Sequence, residues 1–215
     1  MTWLRDHLQD VLTLAAQHIY LAGLPLVLGL LIALPLGWLA RRYRPLYAPF
    51  TVGTGLLYTI PSLALFILLP GILGTRILDR NNVFVAMTIY TVALLVRTVA
   101  DGLGAVPDDV AQSATAMGFR RVRRFFLVEL PLAVPVISAG MRVAAVSNVS
   151  IVSVAAVIGI PQLGQLFTDG FKRNFYDPIV VGILACIILA VAFDIAILLV
   201  TRLVTPWERV RRARA

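Results

Sequence analysis

"QSATAMGFRRVRRFFLVELP", residues 112–131, places four arginines and one glycine in a chain that is otherwise mostly hydrocarbon. The stretch begins as a helix. Ala114, Ala116 and Met117 favour that conformation. Just upstream, Pro107, Asp108 and Asp109 suit a first turn, because carboxylates are stabilised at the positive end of a helix. Gly118 is expected to end or bend the helix, or to admit another backbone closely. Charge and aromatic residues then interleave until Leu130 and Pro131 lead into a further apolar run. Such a basic knob reads in two ways. It is either a surface helix-turn whose arginines only orient the chain, or a handle for a partner.

The rest of the chain decides where this knob sits. Only 14% of its 215 residues are charged and 60% are hydrophobic, against roughly 25% charged in an ordinary soluble domain. The mean hydropathy is +0.90. This is a membrane composition. The net charge is +8, with 11 Asp and Glu set against 18 Arg and one Lys. These residues flank apolar segments rather than forming one soluble stripe, so membrane orientation accounts for them better than nucleic acid does. Cys186 stands alone in an apolar run, so no disulfide framework exists, and it reads as a small buried hydrophobe.

Five apolar segments are long enough to cross a bilayer, at about 20 residues each. They cover residues 17–40, 47–74, 82–104, 132–160 and 178–204. The chain is expected to be all-α, a polytopic membrane protein with five transmembrane helices in one domain, 1–215. The second segment exceeds one span and is broken by Pro49, Pro61, Pro70 and Gly71. A kinked helix with part of its length at an interface is expected there. The outer loop, residues 160–177, is polar and aromatic enough for a short amphipathic helix. The inner loop, 105–131, holds the opening stretch. No cleavable leader is expected, because Asp6 and Asp10 interrupt the early positive charge.

Basic residues choose the orientation. One side holds twelve: Arg41, Arg42, Arg44, Arg120, Arg121, Arg123, Arg124, Arg202, Arg209, Arg211, Arg212 and Arg214. The other side holds five: Arg5, Arg76, Arg80, Lys172 and Arg173. The positive-inside rule puts the N-terminus outside and the C-terminus in the cytoplasm. Trp38 and Trp207 then fall at the inner interface, where indoles prefer to sit.

The inner loop carries a resemblance. Gln112-Ser113-Ala114 is followed by three residues and Gly118, then nine residues later by Val128, Glu129 and Leu130-Pro131. This spacing is similar to the E-A-A loop of ATP-binding-cassette importer permeases, with Gln112 for Glu, Ser113 for Ala and Val128 for Ile. The chain resembles the permease subunit of a type I ABC importer, whose five core helices occur in this order. In that family the loop forms a coupling helix that docks into the ATPase subunit. The resemblance implies docking by Gln112, Ser113, Ala114, Met117, Gly118, Arg120, Arg121, Leu130 and Pro131. Ala114 and Met117 would supply a small apolar face, and the arginines would pair with acids or lipid phosphates.

Other stretches narrow the resemblance. "TIPSLALFILLPGILG", residues 59–74, and "AGMRVAAVSNVSIVSVAAVIG", residues 139–159, are similar to osmoprotectant permeases serving glycine betaine, choline or carnitine. "IGIPQLGQLFTDG" resembles their outer loop, although that loop is usually richer in glycine. Methionine-type and taurine-type permeases share parts of these patterns. The resemblance implies a bacterial cytoplasmic membrane and three partners: an ABC ATPase, an extracytoplasmic solute-binding protein, and a second permease copy or sister permease.

The chemistry agrees with a path rather than catalysis. Lys172 lies in no phosphate-binding loop, so no ATP hydrolysis is expected here, and ATP with Mg would sit on the partner. His7 and His18 have no Cys or acidic cluster beside them, so neither a metal site nor a bound cofactor is expected. Polar residues within apolar spans are candidate path residues: Thr59, Ser62, Ser147, Asn148, Ser150 and Ser153, with helix–helix packing as their alternative. Pro61 would free a backbone carbonyl near Thr59 to face a cavity. Arg97 and Asp194 share the inner half of the membrane, which leaves pairing or snorkelling open to them. An ion-coupled carrier would need charged relays and repeated halves, and the sequence has neither.

Overall fold

The computed structural model describes residues 2–207. Arg209, Arg211, Arg212 and Arg214 of the inner charge group lie outside the described residues. Within them the chain is helical, with no strand.

Helix α1 (Thr2–Asp6) leads into α2 (Leu8–Arg42), which has 35 residues. At 1.5 Å per residue α2 is about 52 Å long, well beyond a hydrocarbon core of about 30 Å. It therefore starts nearly ten residues before the expected span and projects past the membrane on the N-terminal side. Its packing face is small: Ala22, Ala33 and Ala40 are buried. Gly29 and Gly37 leave room for Thr91 and Val99 of the neighbouring helix, and a Cβ at either glycine would collide with those side chains. Small residues let two backbones approach where no water drives them together.

That neighbour, α5 (Arg80–Gly104), is the axis of the bundle. Val83, Met87, Leu95, Val96 and Val99 along it are fully buried. Its start is capped by Asp79, whose carboxylate accepts from the Asn81 N–H at 2.9 Å.

The second apolar segment becomes two helices, α3 (Arg44–Thr59) and α4 (Ser62–Leu73), bent by 100°. Pro61 lacks an N–H and restricts the residue before it to extended backbone; Ile60 obeys with φ −62°, ψ 128°. The expected kink is thus a break.

Helix α6 (Asp108–Ala116) precedes α7 (Arg121–Arg124), a π-turn (Phe125–Glu129) and α8 (Leu130–Val154). Together with a final 3₁₀ turn, Arg121–Ile158 forms one helical run of 38 residues. The fourth span therefore begins about ten residues earlier than expected, inside the arginine cluster. The π-turn has a local cause. Pro131 cannot supply the N–H that an α-helix needs, and the Leu130 N–H bonds back five residues to Phe125. Helix α9 (Gln165–Lys172) is the short helix expected in the loop of residues 160–177, and α10 (Tyr176–Val204) is the last long apolar helix. Apart from Pro178 and Gly182, α10 buries none of its residues within the chain. It turns Ile188, Leu199 and Leu203 outward, as a helix in hydrocarbon does.

Aromatic contacts mark the two ends of the bundle. At one, Trp38 meets Phe125 with ring centres 6.1 Å apart, and Trp207 lies beside Leu127 and Val128. At the other, Trp3 meets Phe175 at 6.5 Å. Charges inside the spans pair differently from the sequence expectation. Asp194 of α10 accepts two hydrogen bonds from Arg142 of α8, at 2.5 and 2.8 Å. Arg97 instead lies 3.5 Å from Asp101, one turn along its own helix. The fork of Arg142 fits a carboxylate with two parallel bonds, and Asp194 has no need of Arg97.

Candidate functional site: the coupling element and the polar faces

The opening stretch folds as a capped helix followed by a clip. Helix α6 ends in a paired-bond cap: the Phe119 N–H bonds the Ala114 carbonyl at 3.1 Å, and the Gly118 N–H bonds Thr115 at 2.9 Å. This cap requires left-handed backbone at its glycine, and Gly118 has φ +85°. No other atom lies within 4 Å of where its Cβ would stand. Conformation, not crowding, selects glycine there.

The residues expected to dock divide by face. Gln112, Ser113, Met117, Gly118, Arg120 and Arg121 are exposed. Leu130 and Pro131 are half-buried where α8 begins. Ala114 is a correction: it is 1% exposed and packs on its own chain, whereas Met117 is 70% exposed. Met117 stands at the C-cap, past the last helical residue, so the two do not share the apolar face that a longer helix would give them.

Arg124 holds this element to the fourth span. Its Nε donates to Glu129 at 2.6 Å and its other guanidinium nitrogen donates to Thr115 at 2.8 Å. One side chain thus joins α6 to the foot of α8. Beside it lies a cavity of about 200 Å³ lined by Trp38, Arg41, Arg42, Asp108 and Glu129. Arg123 covers the Phe119 ring at 5.1 Å, a cation–π contact that fixes the chain after the cap.

The polar span residues separate in the same way. Thr59 and Ser150 are exposed, and Ser62, Ser147 and Ser153 are half-buried. Asn148 does not stand on an open face. It is 2% exposed, and its amide donates to the Ala22 carbonyl at 3.2 Å and to Thr91 at 2.9 Å. It joins α2, α5 and α8, because its helical phase matches the buried Ala144 and Ala145 rather than Ser150. The carbonyls at the Pro61 break are not open either: Leu57 accepts the Ile60 N–H at 3.3 Å, and Ile60 accepts the Tyr90 hydroxyl at 2.5 Å.

At the end that holds Trp3 and Phe175 is a buried polar cluster that the sequence did not signal. His18 contacts the Val149 carbonyl through Nε2 at 3.0 Å and the Gln162 amide oxygen through Nδ1 at 3.1 Å. Gln162 in turn donates to the Ser153 carbonyl at 3.1 Å and accepts the Gly164 N–H. The loop of residues 160–164 is thereby tied to α2 and to the end of α8. No group of three or more His, Cys, Asp or Glu that could hold a metal occurs among the described residues.

Among the described residues, four helices long and apolar enough to cross a membrane, one bent pair, and an exposed capped helix between Arg80–Gly104 and Arg121–Ile158 make an arrangement with known counterparts. The family model described as binding-protein-dependent transport system inner membrane component matches residues 26–210. The osmoprotectant import permease protein OsmW of Salmonella typhimurium is 32% identical over 196 residues, covering 89% of this chain and 90% of that protein. The glycine betaine/carnitine/choline transport system permease protein OpuCB of Bacillus subtilis is 29% identical over 208 residues, covering 96% and 94%. Among solved structures, an inward-facing MetNI methionine ABC transporter superposes with a TM-score of 0.82 over 95% of this chain and 98% of that one, at 20% identity. Fold, loop spacing and sequence coverage agree: the chain belongs to the family of binding-protein-dependent transport system inner membrane components, as a permease subunit of an ABC importer.

Proposed function

We propose that the chain forms one wall of the path by which a quaternary ammonium osmoprotectant (glycine betaine, choline or carnitine) enters the cell. The observation that carries this reading is the near full-length similarity to osmoprotectant and choline permeases. The physics of the chain supports it. Its polar groups are scattered hydroxyls with few intramembrane charges, which suits passage of a small solute rather than a proton relay.

Energy comes from elsewhere. A partner ATPase binds and hydrolyses ATP with Mg and receives the exposed end of α6. An extracytoplasmic solute-binding protein meets the outer loop and α9. Two permeases, identical or sister chains, enclose the path, with Thr59, Ser62, Ser147, Ser150 and Ser153 as its candidate lining. The arginine-rich end faces the cytoplasm and the N-terminus faces outward.

The test is uptake by the complex reconstituted with its ATPase and binding protein. Radiolabelled glycine betaine, choline, carnitine and methionine are supplied in turn. ATP-dependent uptake of a quaternary ammonium solute, with methionine excluded, is the expected result. Uptake of methionine alone would overturn the substrate class.

A further inference from the structure

Tyr47, Thr51, Thr54 and Tyr58 of α3 fall at i, i+4, i+7 and i+11, so one face of the helix carries hydroxyls and phenol rings. This face is not sealed within the chain: Tyr47 and Tyr58 are exposed, and the threonines are half-buried. The threonine hydrogens are already used. Thr51 donates to the Tyr47 carbonyl at 2.8 Å, and Thr54 donates to the Phe50 carbonyl at 2.7 Å. Their oxygen lone pairs are what remain to face a solute. The Tyr47 hydroxyl likewise donates to Asp101 at 2.6 Å. The stripe therefore offers lone pairs and ring surfaces and few free donors.

At the foot of the stripe is a cavity of about 670 Å³ between the inner ends of α2, α3 and α5, lined by Tyr47, Asp101 and Arg41 among others. The Asp101 side chain is 45% exposed, and its companion Arg97, at 3.5 Å, is 69% exposed. A pair so open to solvent leaves the carboxylate available. A quaternary ammonium group has no N–H and spreads its charge over methyl groups. It is held by ring faces and partly negative oxygens, without directional hydrogen bonds. Arg41 on the α2 wall adds a cation for a carboxylate tail.

We propose that the hydroxyl-and-ring face of α3, with Asp101 at its foot, is the inner half of the solute path and holds the quaternary ammonium head of the solute before release. This assignment deepens the function given above and rests on it.

Two measurements on the complete complex test it. In the first, Thr54→Cys is introduced in a Cys186→Ser background. Its reaction with a trimethylammonium-bearing methanethiosulfonate is compared with that of the neutral methyl reagent, each relative to a free thiol. The site favours the cationic reagent by about tenfold, and Asp101→Asn removes the preference. Equal relative rates, or a preference unchanged by Asp101→Asn, would overturn the proposal. In the second, the Thr51→Val/Thr54→Val variant keeps side-chain shape and removes both oxygens. Choline uptake falls at least about fivefold while the ATPase stays bound; uptake within about twofold of the parent would also overturn it. Absence of any quaternary ammonium uptake by the parent complex refutes the transport reading. The labelling preference needs no transport and judges the site by itself.

Discussion

Arg124 and Glu129 are five residues apart and joined at 2.6 Å. In a regular α-helix residues five apart point in different directions, and only i+3 and i+4 meet. The π-turn between them, Phe125–Glu129, widens the helix and brings the two charges together. The same guanidinium reaches Thr115 on α6 at 2.8 Å. One planar side chain thus bridges α6 and the foot of α8.

The first prediction tests that link. Arg124→Gln loses the charge-assisted bond and leaves the Glu129 carboxylate half-buried and alone, at a cost of about 1–3 kcal/mol in this local contact. The spans still fold. Binding-protein-stimulated ATP hydrolysis persists while solute uptake falls, because docking remains and transmission is lost. Glu129→Gln keeps an acceptor for Arg124 and is expected to be milder. A variant with normal uptake per ATP hydrolysed would show that the clip carries no motion.

Gly118 separates conformation from crowding. A Cβ placed there meets nothing within 4 Å. With φ +85°, any residue with a Cβ strains the turn by about 1–2 kcal/mol. Gly118→Ala is therefore expected to weaken coupling nearly as much as Gly118→Val, and Gly118→Asn less than either. ATPase co-purification and solute uptake across the three variants measure this. A graded loss that follows side-chain volume would instead identify the ATPase groove as the constraint.

Much of this was legible in the sequence. Composition placed a short helix in the loop after residue 104, Gly118 marked its end, and Pro61 marked the break. What was missed has physical causes. Arg124 and Glu129 look unpaired at five residues apart unless the π-turn is known. His18 and Gln162 meet across 144 residues, and no local pattern announces that. Ala114 and Asn148 were misplaced because composition shows that a residue is small or polar, whereas helical phase decides which way it faces.

Asn148 accordingly has a different expected phenotype from an open path residue. Asn148→Leu removes the amide bonds to Thr91 and to the Ala22 carbonyl at the junction of three helices, while Thr91 keeps its bond to the Met87 carbonyl. Such buried losses cost about 1–3 kcal/mol each. The variant should show a lower thermal midpoint in detergent and a lower yield of folded complex. The complex that does assemble should transport with an unchanged apparent KM for solute. Full stability with a raised KM would return Asn148 to the path.

Orientation is testable by labelling from outside. In a Cys186→Ser background, a membrane-impermeant thiol reagent should modify Asp169→Cys on α9 in intact cells. Arg121→Cys on α7 should react only after the membrane is opened. Asp169 belongs to the end that gathers Trp3 and Phe175, and Arg121 belongs to the arginine-rich end. The reverse pattern would invert the whole molecule.

The last prediction concerns His18. Gln162 is oriented by two backbone groups: its nitrogen donates to the Ser153 carbonyl, and its oxygen accepts the Gly164 N–H. That orientation turns the Gln162 oxygen toward Nδ1 of His18, while the Val149 carbonyl faces Nε2. Two acceptors thus face one ring in a site that is 0% exposed at His18. A neutral ring has one N–H to give, so His18→Leu removes one donor from this buried cluster, at about 1–3 kcal/mol, while the Gln162 oxygen keeps the Gly164 N–H. The outer loop should then detach from α2 and from the end of α8. Thermal unfolding in detergent and protease cleavage within residues 160–164 report the two parts of the effect. Both should move in His18→Leu. His18→Gln, which restores one donor group, should recover part of the loss. His7→Ala is the control, since His7 is exposed and its ring rests on Trp3 at 4.5 Å; it should change the midpoint little. Cleavage and midpoint unchanged in His18→Leu would show that Gln162 holds the loop through its backbone bonds alone.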